Sequence, residues 1–145
     1  MSDFSLIPAL QISASGLNAE GRRMEVIANN VANAQTTRGE DGKVFRRKEV
    51  VFAARLASEL GAGNQADSEL KGVEIKGIVD DQRPLKRIFR PGHPDADKEG
   101  YVALPNINPV EEMVDMMSAS RAYEANLAAM KSSRTMASAA IDILK

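Results

Sequence analysis

Residues 108–145 read NPVEEMVDMMSASRAYEANLAAMKSSRTMASAAIDILK, and after Pro109 no Gly or Pro interrupts them. Asn108 stands before Pro109, with Glu111 three residues on. That is a helix start with a capping-box-like pair, and a proline at the first helical position loses no needed N–H. Ala, Met, Leu and charged residues then fill the stretch, as a long helix requires. Met113, Met116, Ser120, Tyr123, Leu127, Met130, Arg134, Ala137, Ile141 and Leu144 are spaced alternately by three and four. This spacing predicts a seam of about five heptads, broken only by Ser120 and Arg134. Such a helix would run roughly 50 Å at 1.5 Å per residue. Its apolar stripe cannot fold back on itself and needs a partner.

A second stretch, from about Leu6 to Ala34, repeats the pattern. Ile7, Leu10, Ala14, Leu17, Gly21, Met24, Ala28 and Val31 alternate by three and four, with large and small residues in separate rows a heptad apart. Gly16 and Gly21 each lower helix stability by roughly 1 kcal/mol relative to Ala, so this helix is expected to depend on its neighbour. It should exit through Asn29, Asn30, Val31, Ala32, Asn33, Ala34, Gln35, Thr36 and Thr37, because Asn tolerates a helix end better than a helix interior.

Composition narrows the function. The chain has 145 residues, with 19 Lys and Arg against 20 Asp and Glu, so no global charge favours nucleic acid. Four Phe, two Tyr and no Trp are few for a compact enzyme core, whereas Ala- and Met-rich helices need little aromatic area. No Cys removes disulfides and thiolate chemistry. One His and no motif-spaced carboxylate pair or Ser/His arrangement leave no recognisable catalytic site, and no cofactor is expected. No Lys or Arg precedes Arg22, so a cleaved secretory signal is not expected, and no apolar run is long enough to span a membrane.

The middle of the chain reads as strands and turns. Val44–Phe52 suggests a strand, and its Arg46-Arg47-Lys48 cluster reads as a solvated edge or a subunit contact, since no aromatic platform accompanies it. Ala53–Lys71 reads as a loop; Gly61-Ala62-Gly63 lacks the third Gly of a dinucleotide fingerprint. Val73–Val79 and Leu85–Arg90 suggest two strands, with residues 80–84 as a hairpin turn between them. Pro91-Gly92-His93-Pro94-Asp95-Ala96-Asp97-Lys98-Glu99-Gly100 is dense in turn residues. Asp95, Asp97, Glu99 and Gly100 imitate the start of a calcium loop, but Asn106 stands where the bidentate Glu belongs, so no metal site is assigned. Tyr101–Leu104 is a short extended piece leading to Pro105.

With these residues in view, the chain resembles the rod proteins of the bacterial flagellar basal body, within the rod and hook axial family, and is most similar to a proximal-rod subunit. The resemblance runs nearly end to end. It rests on Ser15-Gly16-Leu17; on Asn29, Asn30 and Asn33 with Thr36 and Thr37; on Arg46-Arg47-Lys48; and on Pro91, Gly92, His93 and Pro94. Residues 105–115, with Asn106, Asn108 and Glu111, and Arg121, Tyr123, Glu124 and Asn126 carry it further. It implies a mainly α fold with a small β insertion. The terminal helices, residues 1–35 and 108–145, would pair as a coiled-coil-like core domain, with 36–107 as the insertion. It implies a structural subunit stacking helically with its own copies and with other proximal and distal rod proteins, joined to the membrane ring. The resulting hollow shaft would carry motor torque across the periplasm. Export would use the flagellar type III apparatus, without a cleaved signal. Ile7, Leu10, Leu17, Met24, Val31, Met113, Met116, Tyr123, Leu127, Met130, Ile141 and Leu144 are the expected assembly seam. A soluble coiled-coil adaptor or a calcium-binding module remain the alternatives from other classes.

Overall fold

The computed structural model describes residues 6–39, 41–56 and 70–143. Two helices frame four strands in the order α1 (Leu6–Ala32), β1 (Lys48–Leu56), β2 (Leu70–Asp80), β3 (Lys86–Phe89), β4 (Tyr101–Leu104) and α2 (Pro109–Ile143). The chain is mainly α with a small β portion, and α1 and α2 lie packed along one another.

The start of α2 is built by Asn108. Its Oδ1 accepts from the Val110 N–H at 3.2 Å and its carbonyl accepts from the Glu112 N–H. Its amide donates to the Glu111 carboxylate at 3.0 Å, so the capping pair closes side chain to side chain rather than onto the backbone. Glu111 and Glu112 also place negative charge where the helix dipole is positive. At the other end of the pair, α1 is closed by Asn33. Its amide donates to the Asn29 carbonyl at 2.9 Å and its Oδ1 accepts from the Thr36 hydroxyl. Asn33 thus caps the helix end, while the Asn30 side chain is turned to other elements.

The strand pairing differs from the expected hairpin. β2 pairs antiparallel with β1, Lys48 opposite Asp80, and β3 pairs antiparallel with β4, Phe89 opposite Tyr101. Residues 80–84 do turn the chain, with the Arg83 N–H donating to Asp81 Oδ1 at 2.8 Å. They do not join paired strands, since β2 is paired with β1 and β3 with β4. Arg46 and the Asn106 amide both donate to the carbonyls of Asp81 and Arg83. β1 and β2 also reach Leu56 and Leu70, into the stretch read as a loop; residues 57–69 lie outside the described ones.

Helix packing uses a stripe offset from the expected seam. On α2 the buried or half-buried positions include Glu112, Met116, Ala119, Tyr123, Asn126, Met130, Ser133 and Ala137, again spaced by three and four. One row, Met116, Tyr123, Met130 and Ala137, is shared with the sequence reading. The other row is small or polar, and the larger residues of the expected seam turn away: Met113 is 56% exposed and Ile141 57%. Leu127 is half-buried, Arg134 exposed, and Leu144 lies outside the described residues. On α1, Leu10, Leu17, Met24 and Val31 are all half-buried, while Ala19, Val26, Ile27 and Asn30 are buried; the Ile7 side chain is outside the described ones. The reason is space. A Cβ on Gly16 would stand 2.8 Å from Asn126 Nδ2, so the helices meet too closely there for two large side chains.

Candidate functional site

The deepest part of the molecule is a polar junction where both helices meet the strands. Asn30 and Glu112 are each 0% exposed, beside fully buried Val102, Pro105 and Ile107. The Asn30 amide donates to Glu112 Oε2 and to the Lys48 carbonyl, both at 2.9 Å, and its Oδ1 accepts from the Lys48 N–H. One side chain therefore joins the end of α1, the first residue of β1 and the first turn of α2. Asn106 repeats the device one segment on. Its Oδ1 accepts from the Arg47 N–H at 3.0 Å, and its amide reaches the carbonyls after β2.

Arg47 is the counter-charge of this junction. Its guanidinium, 12% exposed, donates from Nε to Glu112 Oε1, pairs with Glu49, and reaches Asp115 at 3.2 Å and Asp81 at 3.8 Å. Burial works against the charge, yet Glu112 and Glu49 outweigh it and hold the guanidinium above its usual range. The basic cluster is thus divided by its register. Arg47 lies inside the network, Arg46 holds carbonyls, and only Lys48 projects its ammonium outward, 5.8 Å from the Phe45 ring. Glu112 and Arg47 were not singled out from the sequence as a pair. The available signal was a basic residue just before a strand and a second Glu in a helix's first turn, which by itself suggests only a favourable dipole.

A second polar cluster fastens the proline–histidine turn to the exit of α1. Pro91, Gly92, His93 and Pro94 lie in the loop joining β3 to β4. The His93 Nδ1 accepts from the Asp95 N–H at 3.1 Å, and the Thr37 hydroxyl donates to Asp95 Oδ2 at 2.8 Å. Asp97 accepts from the Tyr101 and Glu99 N–H groups and from Arg87. The backbone donation from Tyr101 is the largest of the effects that hold its carboxyl below the usual range. These carboxylates close the turn.

The remaining motif residues fall on α1 and α2. Ser15 Oγ accepts from the Val73 N–H at 3.0 Å and donates to the Ile12 carbonyl, tying β2 to α1. Gly72 makes that approach possible: its φ is +119°, and a Cβ there would lie 2.2 Å from Ser15 Oγ. Asn126 sits over Gly16, Tyr123 is half-buried, and Arg121 and Glu124 are exposed. The structure therefore gathers Asn30, Asn33, Thr36, Thr37, His93, Asn106 and Asn108 around the junction end of the molecule, and leaves Arg121 and Glu124 at the surface.

Apolar surface is the other conspicuous feature. Val110, Met113, Val114 and Met117 share the face of α2 turned away from α1, and Val110 is 67% exposed. Phe52, Val73, Ile78 and Val79 on the first strand pair, and Phe89 on the second, are exposed as well. The α2 row is contiguous, the kind of exposed apolar patch that marks an interaction surface. No helix among the described residues is long and apolar enough to cross a membrane.

Two long helices, α1 closed by Asn33 and α2 opened by Asn108, with a small β portion between them, make this a mainly α protein with a β insertion. Residues 10–38 match the family described as Flagella basal body rod protein, and residues 98–143 match the Flagellar basal body rod FlgEFG protein C-terminal family. The chain is 43% identical to the flagellar basal-body rod protein FlgC of Borreliella burgdorferi, across 97% of this chain and 98% of that protein. It is 38% identical to FlgC of Bacillus subtilis, across 94% and 97%, and 38% identical to FlgC of Salmonella typhimurium, across 91% and 92%. The chain belongs to the FlgC family of flagellar basal-body rod proteins.

Proposed function

We propose that the chain is a structural subunit of the flagellar basal-body rod, stacking with copies of itself and with other proximal and distal rod proteins. The observation that carries this reading is identity to FlgC proteins along nearly the whole chain, including both helices and the turns between them. In this reading residues 1–35 and 108–145 act as one coiled-coil-like core domain with 36–107 as an insertion. The core helices face the axis of a hollow shaft that transmits torque across the periplasm and meets the membrane ring. Export, in the same reading, uses the flagellar type III apparatus. No catalytic role or cofactor is assigned.

The exposed row Val110, Met113, Val114 and Met117 supports a subunit whose helices have neighbours on more than one side. Ala125, Ala128, Ala129, Ala139 and Ala140, also exposed, let such neighbours come close. Deleting the gene from its organism tests the reading. Loss of swimming, with basal bodies that lack a complete rod and recover it on re-expression, is the expected result. A soluble adaptor would instead leave the rod intact and run as a discrete small oligomer.

A further inference from the structure

The row Glu112, Ala119, Asn126 and Ser133 on α2 leaves Gly16 more than one axial position. A slip of one heptad still sets a small side chain opposite Gly16, so close approach alone does not select the register. With Asn30 level with Glu112 and Gly16 level with Asn126, the helices run antiparallel and the two contacts lie two heptads apart on each. Slipped one heptad in one direction, Gly16 would face Ser133 and Asn30 would face Ala119, both small. Slipped the other way, Gly16 would face Ala119 and Arg23 would come level with Glu112, a charge match that could replace the present one.

We infer that the Asn30–Glu112–Arg47 junction is a register lock: it fixes the axial position of α1 against α2 and makes that position depend on the start of β1. The geometry supports each part. Glu112 is fully buried, and of its two oxygens one is taken by Asn30 and the other by Arg47. Asn30 is itself pinned by both backbone groups of Lys48, so it cannot follow a slipped helix without abandoning β1. In either slipped register Glu112 and Asn30 no longer meet, and Glu112 finds a new charged neighbour only where Arg23 comes level with it; in the other register a buried polar group loses its partner, which costs free energy. A buried polar residue that selects one register among several is the best-attested use of such groups. The lock thereby sets which side chains stand level along the outer faces of the pair, and it does so whether or not the chain enters a rod.

The chain has no Cys, so spin labels can be placed at will. Labels on cysteines replacing exposed Asn18 and Ser138 give a pair with an axial offset of about 21 Å, which a one-heptad slip changes by about 10 Å. Distances are read by double electron–electron resonance on the full chain. The parent chain is expected to show one narrow distance. Asn30→Leu/Glu112→Leu, in which Arg47 keeps Glu49, Asp81 and Asp115, is expected to show a second distance displaced toward one heptad, with helix content by circular dichroism retained. Glu112→Leu alone leaves Asn30 bonded to Lys48, and is the variant read if the double variant loses its helix signal; it is expected to show the same second population. A single unshifted distance in Glu112→Leu, or a broad distribution in the parent chain, overturns the inference.

Discussion

Arg47 and Glu112 set an ion pair at the point where both helices meet β1. Removing one partner of a buried pair leaves an uncompensated charge, typically at about 3–5 kcal/mol. Arg47→Ala is therefore expected to lower unfolding free energy by roughly that amount, seen as a fall in the urea midpoint, while Arg46→Ala, which frees only carbonyls near the surface, should cost about 1 kcal/mol. Equal losses in the two variants would contradict the division of the basic cluster. Acid acts on the same end of the molecule. The Asp81 carboxyl is held below its usual 3.8, first by the Arg83 N–H and then, against some burial, by the Arg83 and Arg47 charges. A depressed folded-state value means that the stabilisation is complete above about pH 5 and disappears as pH falls through it, below about pH 4. Circular dichroism against pH should show acid unfolding beginning there and a shallower acid slope in Asp81→Asn. Neighbouring letters made the asparagine exit and the Asn108 cap legible in the sequence, because a cap is a local device. The Arg47–Glu112 pair was not legible, since the partners are 65 residues apart and each has an adequate local explanation.

At the scale of elements, both helices and their ends follow from the sequence, and the strand partners do not. Turn residues at 80–84 suggest a hairpin, but each flanking strand pairs elsewhere, β2 back to β1 and β3 onward to β4, and a local turn signal carries no information on that choice. The helix seam was half legible. Heptad counting found the spacing and the row Met116, Tyr123, Met130 and Ala137, yet ranked large apolar residues above small ones in choosing the second row. Close approach decided the second row: Gly16 and Ala119 stand in it, while the large side chains Met116, Tyr123 and Met130 fill the row beside it. Gly72 is the most exacting of these contacts. Gly72→Ala must hold an alanine at φ +119° against Ser15, and is expected to cost about 1–3 kcal/mol and to loosen β2 from α1. Faster amide hydrogen exchange at Val73, whose N–H donates to Ser15, is the accompanying readout; unchanged protection there would contradict the contact.

Among the described residues of the whole molecule the buried centre is small, and apolar side chains stand exposed on the outer face of α2 and on the strands. Stability and assembly should accordingly separate by position. Met113→Glu or Val114→Glu, on the outer face of α2, should change the stability of the isolated chain by no more than about 0.5 kcal/mol while abolishing swimming. Met130→Asp, which places a charge in the half-buried stripe, should damage both. Electron cryomicroscopy of basal bodies isolated from the organism that encodes this chain bears most directly on its role. The expected map contains density for this chain within the rod, with α1 and α2 on the axial side and Val110, Met113, Val114 and Met117 covered by a neighbouring subunit. A complete rod wholly accounted for by other chains would contradict it.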